Sequence, residues 1–342
     1  MKIKIIRDLD NFRLLEKEWN ILYKNPKKSF FQSFSFNYYS WLHILSNNKS
    51  NFLSIVLIID NGLLVAILPF YISRGVVRFI CDVHADFCDI LLKPGYSIEF
   101  NRVVRLLKMK NVIKSFRLIN IREDSCLQIA MEDYKYFFRD SITSYSYIKL
   151  LRGEFPNNTT MLSKQRYNIN KIIQRDIGKH YVLSKENLDD FPYKDIIYLR
   201  NVMIKLGHRK RYFLDNKWIL FLQDMYVTGL LQISLIKNNN KAHAISFIMR
   251  CNNTRMFWID LFSNIPRVNI YNYIKFITSV SIDYDKTEMH FGRGLYGYKM
   301  RNFKPIVKDL TEINIYFNSI KYYLFLIKRF IYKVIVYKYR SR

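Results

Sequence analysis

The sequence of 342 residues lacks several features that would assign it to a common class at once. Its cysteines, Cys81, Cys88, Cys126 and Cys251, include no C-x₂-C pair, so neither a zinc site nor a redox centre is expected. Scattered cysteines of this kind are typical of a reducing cytoplasm. No apolar run approaches the roughly eighteen residues of a membrane-spanning helix, and the charged N-terminal residues do not resemble a signal peptide.

Acidic residues are scarce, because 28 Asp and Glu oppose 55 Lys and Arg and leave a formal net charge of +27. Such an excess attracts polyanions, namely nucleic acid, an anionic membrane or a phosphorylated substrate. A compositionally biased genome, which enriches Lys, Ile, Asn, Tyr and Phe together, explains the same excess without any partner. Hydrophobic residues make up 50% of the chain and aromatic residues 16%, enough to build cores and to exclude a disordered protein.

Standard phosphate motifs are also absent, since neither G-x-G-x-x-G nor G-x-x-x-x-G-K-[ST] occurs. The chain carries instead a glycine-rich stretch at Glu288–Pro305, EMHFGRGLYGYKMRNFKP. Its glycines, Gly292, Gly294 and Gly297, allow positive φ angles or close approach to a ligand. Arginine and lysine in the same stretch supply donors for phosphate or pyrophosphate. A plain strand-to-helix turn with solvated charges is the alternative interpretation.

This stretch carries a family resemblance. Phe291-Gly292-Arg293-Gly294, followed by Tyr298-Lys299 and Phe303, resembles the F-G-R-G … Y-K … F signature of the CelD/BcsL-like (BioF2-like) acyltransferases. That family belongs to the GNAT superfamily and is similar to the FemABX peptidoglycan aminoacyltransferases. His290 stands where the family more often carries Asp. Weaker matches to the same family are Phe31-Gln32-Ser33 with Trp41, Ala66-Ile67-Leu68-Pro69, Asp86 with Asp89, and Ser163–Asn168.

The hydrophobic pattern predicts a mixed α/β fold. Asp60-Asn61-Gly62 joins two apolar runs as a β-hairpin. Later the chain shows three strands, a helix and a further strand, the order of a GNAT core; the runs are Leu230–Ile236, Ala242–Cys251, Arg255–Phe262, Val268–Ile282 and Thr287–Phe291. The first half shows a weaker version of this order. We therefore predict tandem GNAT-like halves in a FemABX-type double-GNAT architecture, residues 1–152 and 153–318, followed by a basic amphipathic C-terminal helix at 319–342.

The candidate catalytic residues lie on the predicted strands of the second half. GNAT-type transfer requires a neutral acceptor amine, an aligned thioester carbonyl and donors to the oxyanion, without a covalent intermediate. Asp260, His243 and His290 are the candidate bases, and their position on neighbouring strands predicts that they converge. For any single one of them a hydrogen-bonded core residue is the commoner interpretation, and the functional hypothesis depends on the three together. For the phosphates of an acyl-CoA the resemblance implies Gly292, Arg293, Gly294, Tyr298 and Lys299.

The resemblance implies an acyl-CoA-dependent N-acyltransferase that acetylates, or similarly acylates, a nucleotide- or lipid-linked amino sugar or a related amine in bacterial cell-surface polysaccharide biosynthesis. A FemABX-like aminoacyl-tRNA donor is a variant of this hypothesis. A non-catalytic protein that binds nucleic acid or a membrane surface is the second hypothesis, although the basic residues are spread along the chain and form no single stripe. We expect a cytoplasmic protein whose C-terminal helix either contacts the inner membrane peripherally or docks on its own domain.

Overall fold

A computed structural model describes residues 1–24, 29–110, 113–132, 138–153, 155, 163–185, 191–283, 286–317, 323 and 327. Its α-helices are α1 (Leu9–Leu14), α2 (Glu16–Tyr23), α3 (Phe34–Tyr39), α4 (Phe100–Lys110), α5 (Cys126–Ala130), α6 (Ser163–Ile173), α7 (Tyr193–Lys205), α8 (Asn216–Val227), α9 (Val268–Asp283) and α10 (Gly297–Phe303). A 3₁₀ turn at Phe30–Gln32 precedes α3, and a π-helical turn at Ser40–Leu45 follows it.

The strands alternate with these helices along the chain. They are β1 (Lys2–Ile6), β2 (Asn51–Leu53), β3 (Ile55–Asp60), β4 (Leu63–Leu68), β5 (Phe70–Ser73), β6 (Val76–Phe79), β7 (Leu91–Leu92), β8 (Ser115–Arg122), β9 (Phe138–Leu151), β10 (Lys179–Leu183), β11 (Leu231–Asn238), β12 (Lys241–Cys251), β13 (Thr254–Phe262), β14 (Lys286–Arg293) and β15 (Ile306–Tyr316). The mixed α/β prediction is confirmed.

The chain folds into two units, each assembled from separate segments. Unit 1 comprises Met1–Glu18, Asn48–Ile142 and Thr311–Arg342, and unit 2 comprises Trp19–Asn47 and Thr143–Leu310. The chain passes from one unit to the other inside α2, β9 and β15. The halves expected from sequence, 1–152 and 153–318, are continuous and therefore assign residues 19–47 differently.

The segment from residue 19 to 47 belongs to unit 2 because its aromatic side chains pack there. Phe31 and Phe36 each make edge-to-face contacts with Trp258 of β13, at ring-centroid distances of 6.2 and 6.0 Å. Phe36 also contacts Phe221 of α8 at 5.8 Å. Buried aromatic pairs of this kind contribute large apolar areas. Sequence order alone does not reveal such a long-range contact.

In unit 1, strands β1, β3, β4 and β7 pair in that order, and β3 and β4 form the predicted hairpin. Asn61 and Gly62 occupy its turn with φ angles of 47° and 80°, as a tight two-residue hairpin requires. Strands β8, β6, β5 and β2 are hydrogen-bonded to one another in that order. Asp8 caps α1 by accepting a 2.8 Å hydrogen bond from the backbone N–H of Asn11.

In unit 2, β10, β11, β12 and β13 form an antiparallel meander, β14 then adds parallel to β13, and β9 pairs antiparallel with β14. Helix α9 makes the crossover between β13 and β14, which parallel neighbours require. It buries Tyr271, Tyr273, Ile274 and Ile277 in a core shared with Phe257 and Phe291. The predicted order of strands and helix in the second half is therefore confirmed.

No helix in the described part of the chain is long and apolar enough to cross a membrane. The predicted amphipathic helix at 319–342 lies outside the described residues, except for Tyr323 and Ile327, whose side chains are exposed.

Candidate active site

Asp260 is held from two elements of unit 2 at the end of β13. Ser246, its register partner on β12, donates a 2.7 Å hydrogen bond to Oδ1. The hydroxyl of Tyr273, on α9, donates to Oδ2. Both oxygens of the carboxylate therefore accept from neutral hydroxyl groups, and Asp260 as a residue is half-buried. A half-buried carboxylate in a polar network has the properties expected of a catalytic base.

Burial and the neighbouring polar groups shift the pKa of Asp260 in opposite directions. Burial raises the pKa of its carboxyl group above the ordinary value, and the hydrogen bonds from Tyr273 and Ser246 counteract this rise. The positive charges of Lys299 and Arg209 lower the pKa further. Burial is the largest of these effects, so the pKa stays raised, in the direction that makes a carboxylate a stronger base.

A buried polar chain extends behind Asp260 across the meander. Nδ2 of Asn272 donates to Oγ of Ser246 at 3.0 Å and to the carbonyl oxygen of Ser234 at 3.1 Å. Oγ of Ser234 donates to Oδ1 of Asn272 at 2.7 Å, and Nε2 of His180 lies 2.8 Å from the same Oγ. Because each hydroxyl proton is already used, the Ser234 oxygen accepts from an Nε2–H tautomer of His180. Burial and the charge of Lys275 lower the pKa of His180 to about 4, which keeps the ring neutral.

Tyr298 and Lys299 of the glycine-rich stretch lie on the first turns of α10, beside this network. The ring of Tyr298 meets the ring of Tyr273 edge-on at 6.2 Å. Burial and the charge of Asp260 raise the pKa of Tyr298, so the phenol stays protonated. Lys299 is 1% exposed, and its ammonium donates to the carbonyl oxygens of Arg293 and Gly294 at 3.1 and 3.0 Å. Lys299 therefore stabilises the turn through buried hydrogen bonds to its backbone.

The turn between β14 and α10 needs its glycines. The β9–β14 register shifts between His290 and Arg293, which leaves an extra residue on β14 where Gly292 has a φ of 70°. Gly294 has a φ of 84°, and its N–H donates to the carbonyl oxygen of Ser144 at 2.8 Å. A Cβ at Gly294 would lie 2.9 Å from Cε2 of Tyr296. The backbone of this turn is consequently fixed, while the side chain of Arg293 stays partly exposed.

Strands β13 and β14 pair only at their beginnings. The parallel register joins Thr254, Arg255 and Met256 to Glu288, Met289 and His290, and the described pairing ends there. Farther along, Phe257 stacks on Tyr273 at 3.8 Å and Phe291 stacks on Phe303 at 4.7 Å. The strands thus separate toward the ends that carry Asp260 and the glycine-rich turn, and aromatic rings line the core beneath them.

The structure does not bring His243 and His290 to Asp260. His243 is the extra residue where the β11–β12 register shifts, and its pKa is lowered by burial and by the charge of Lys241, with no effect of Asp260 among the causes. His290 is buried beside the rings of Tyr145 and Tyr147, parallel to them at 6.0 and 5.0 Å, with Nε2 3.5 Å from Glu288. Its neighbours Met289 and Phe291 point instead into the core with Tyr273. The predicted convergence of the three residues is therefore not seen.

Several residues of the network escaped the sequence analysis, namely Ser246, Asn272, Tyr273, Ser234 and His180. Serine and asparagine inside apolar strands and helices carry a usable signal, since buried polar groups need partners. Asn272 and Ser234 are fully buried, at 0% exposure each. Ser234 and Asn272 bond to each other but lie 38 residues apart in the sequence, so only the fold reveals the pairing.

No family model and no curated protein matches the sequence. Solved structures do match its fold. FemX aligns over 95% of this chain and 99% of its own, with a TM-score of 0.58 and 9% identity. L-PGS from Bacillus licheniformis aligns over 80% and 88%, with a TM-score of 0.56 and 13% identity.

A tandem GNAT protein from the clavulanic acid biosynthesis pathway aligns over 91% of this chain and 98% of its own, with a TM-score of 0.53 and 9% identity. Identities this low establish the fold alone. The chain therefore has the tandem GNAT-like architecture expected from its sequence, and the finer CelD/BcsL-like resemblance stays a prediction.

Proposed function

We propose that the protein is a GNAT-type N-acyltransferase that moves an acyl group from an acyl-CoA to an amine. The observation that carries the proposal is the position of Asp260. This carboxylate of a half-buried residue has a raised pKa, and it lies on the strand that separates from β14 beside the glycine-rich turn. A tandem GNAT-like fold supplies the architecture in which such a carboxylate and such a turn serve one reaction.

Asp260 serves as the general base in this proposal. The acceptor nitrogen forms a bond to the thioester carbonyl carbon, and the carbon–sulfur bond breaks to release the thiolate. The proton lost by the nitrogen passes to a carboxylate oxygen of Asp260. Tyr273 and Ser246 fix the orientation of that carboxylate through their hydrogen bonds. The carboxylate needs no covalent intermediate for this step.

The glycine-rich turn binds the donor. Arg293, with its partly exposed side chain, supplies a forked cation for the phosphates of coenzyme A, and Gly292 and Gly294 allow the backbone to approach them. Lys299 does not contact the donor in this proposal; it hydrogen-bonds the carbonyl oxygens of Arg293 and Gly294 and so stabilises the turn. The separated strands leave backbone groups that can hydrogen-bond an extended, amide-bearing arm, in the manner of an added strand.

The acceptor is an amino sugar or a related amine. This part of the proposal rests on the resemblance to CelD/BcsL-like acyltransferases, which are linked to cell-surface polysaccharide assembly. A cytoplasmic location with peripheral contact to the inner membrane fits the same role. The basic C-terminal stretch would provide that contact.

An aminoacyl-tRNA donor is the second candidate. The likeness to FemX and to L-PGS from Bacillus licheniformis favours it, and a net charge of +27 suits a nucleic-acid donor. A non-catalytic nucleic-acid or membrane binder is the remaining alternative. It predicts binding to random DNA that collapses between low and physiological salt, with no effect of coenzyme A on stability.

A thermal-shift panel tests the donor class. Acetyl-CoA and longer acyl-CoAs at about one hundred times Kd should stabilise the wild type by about 2.7 kcal/mol. Arg293→Ala should lose most of this stabilisation, and the control Arg105→Ala, on α4 of unit 1, should keep it. Radiolabelled transfer to an amino-sugar panel, with Asp260→Asn as the inactive variant, then tests catalysis. Stabilisation by charged tRNA and by no acyl-CoA would replace the first candidate by the second.

A further inference from the structure

The residues that follow α7 form an exposed cationic loop near Asp260. Gly207 leaves the helix with a φ of 73°. Residues 207–213, called the basic loop below, carry Arg209, Lys210 and Arg211 in succession, and all three side chains are exposed. The sequence analysis and the proposed reaction leave the role of these charges unassigned.

The basic loop has a defined shape. Arg200 of α7 donates from Nε to the carbonyl oxygen of Phe213 at 2.6 Å and from Nη2 to that of Arg211 at 2.8 Å. The N–H of Phe213 donates to the carbonyl oxygen of Lys210 at 2.9 Å, and the guanidinium of Arg209 lies over the Phe213 ring at 4.9 Å. The backbone that presents the cations is therefore held in place before any ligand arrives, which lowers the entropy lost on binding.

The charges of the basic loop are not neutralised within the part of the chain that the structure describes. Arg209, Lys210 and Arg211 form no ion pair there, whereas Asp195 at the other end of α7 is paired with Lys237 at 2.6 Å. Arg200 adds a fourth cation beneath the loop. Clustered like charges repel one another, so a bound anion relieves an unfavourable interaction.

The basic loop also reaches the end of β13. The positive charge of Arg209 lowers the pKa of Asp260, so the two groups interact electrostatically. The ring of His208 lies 5.8 Å from the ring of Phe262, two residues beyond Asp260 and on the same face of the strand. A molecule with its amine at Asp260 can therefore place a second group on the loop.

We propose that the basic loop binds a phosphate or pyrophosphate group of the acceptor. The acceptor would then be a phosphorylated amine, with its nitrogen at Asp260 and its phosphate on Arg209, Lys210 and Arg211. Guanidinium and ammonium groups together suit such an anion. The amine half of this assignment rests on the proposed acyl transfer, whereas phosphate binding at the loop stands by itself. The donor phosphates are assigned to the glycine-rich turn, on a different element.

Isothermal titration tests the loop with three probes at physiological salt: inorganic pyrophosphate, uridine diphosphate, and vesicles of phosphatidylglycerol in phosphatidylcholine. The variant is Arg209→Gln/Lys210→Gln/Arg211→Gln. Its control is Lys171→Gln/Lys179→Gln/Lys194→Gln, which removes the same charge from exposed positions on α6, β10 and the first turn of α7. Circular dichroism checks that both remain folded.

We expect the loop variant to weaken binding of a phosphate probe about tenfold or more, and the control to change it less than about threefold. Stronger binding of the soluble probes indicates a nucleotide-linked acceptor, and stronger binding of the vesicles a lipid headgroup; either supports the loop assignment. Equal weakening in both variants, or no binding of any probe by the wild type, overturns it. Acetyl-CoA stabilisation is measured alongside. Its absence from the wild type refutes the proposed donor, and its loss in the loop variant alone refutes the assignment to the acceptor.

Discussion

The hydroxyl of Tyr273 donates a hydrogen bond to Oδ2 of Asp260, and this contact joins α9 to the last strand of the meander. Burial and the neighbouring carboxylate raise the pKa of Tyr273, so the phenol keeps the proton that it donates to Asp260. The carboxylate of Asp260 consequently accepts a hydrogen bond from α9, on the core side of the strand. The pair couples the packing of the crossover helix to the chemistry proposed for the strand.

Tyr273→Phe should shift the acidic limb of the pH–rate profile to higher pH. The hydrogen bond from Tyr273 lowers the pKa of Asp260, so its loss lets burial raise that pKa further. A base that is ionised only at higher pH loses activity first at low pH. The profile of kcat/KM measures this shift, and the control Tyr193→Phe, an exposed tyrosine on α7, should leave it unchanged. An unshifted acidic limb in Tyr273→Phe would exclude Asp260 as the titrating base.

Asn272→Ala should lower the free energy of unfolding by about 2–5 kcal/mol, because it deprives buried groups of Ser234 and Ser246 of their partners. Urea denaturation measures the loss. Asn269→Ala, one turn earlier on α9 and partly exposed, should cost less than about 0.5 kcal/mol. Similar losses in both variants would mean that the buried polar chain does not account for the effect, and helix propensity cannot cause either loss because Ala favours the helix more than Asn does.

Gly294→Ala should abolish acyl-CoA stabilisation, while Gly95→Ala preserves it. Both glycines have similar φ angles, 84° and 80°, so both substitutions strain the backbone by roughly 1–2 kcal/mol. A Cβ at Gly294 meets Tyr296 at 2.9 Å, whereas nothing lies within 4 Å of one at Gly95. Thermal shift with and without acetyl-CoA separates general strain from displacement of the turn. Retained stabilisation in Gly294→Ala would place the donor elsewhere.

The free energy of unfolding should fall as the pH drops from about 6.5 toward about 4, partly because of His180. Its pKa in the fold is about 4, below the ordinary value of 6.5, so the unfolded chain takes up a proton first. The stabilisation is therefore complete above pH 6.5 and is lost on acidification. Urea midpoints at several pH values should show a flatter dependence for His180→Gln than for wild type. An equal pH dependence in both proteins would mean that His180 does not contribute to the acid sensitivity.

The sequence predicted much of the fold because its signals are local. Asn61-Gly62 indicated a tight hairpin turn, and the meander of β11, β12 and β13 followed from apolar runs separated by polar turns. The motif Phe31-Gln32-Ser33 with Trp41 was visible in the sequence, but the membership of this segment in unit 2 depends on contacts with Trp258, more than 200 residues away. Long-range packing of this kind leaves no periodic trace in a single sequence.

The site was predictable only in part. Asp260 stood out as a carboxylate on an apolar strand, and Tyr298 with Lys299 as members of a motif. The sequence did not reveal that the Lys299 ammonium would donate its hydrogen bonds to backbone carbonyl oxygens. It also placed His243 and His290 with Asp260, whereas His243 lies at a register shift of β12 and alternation along β14 turns His290 away from the core that Met289 and Phe291 enter.

The sequence by itself determined the order of the elements and the glycine turn, because hydrophobic period and φ preference are properties of neighbouring residues. The tertiary structure alone decided which polar groups meet. An extra residue, Trp258, in the β12–β13 register brings Phe257 and Asp260 to the same face, where Tyr273 contacts both. Strict alternation would have placed them on opposite faces, since Phe257 and Asp260 are three positions apart in the sequence.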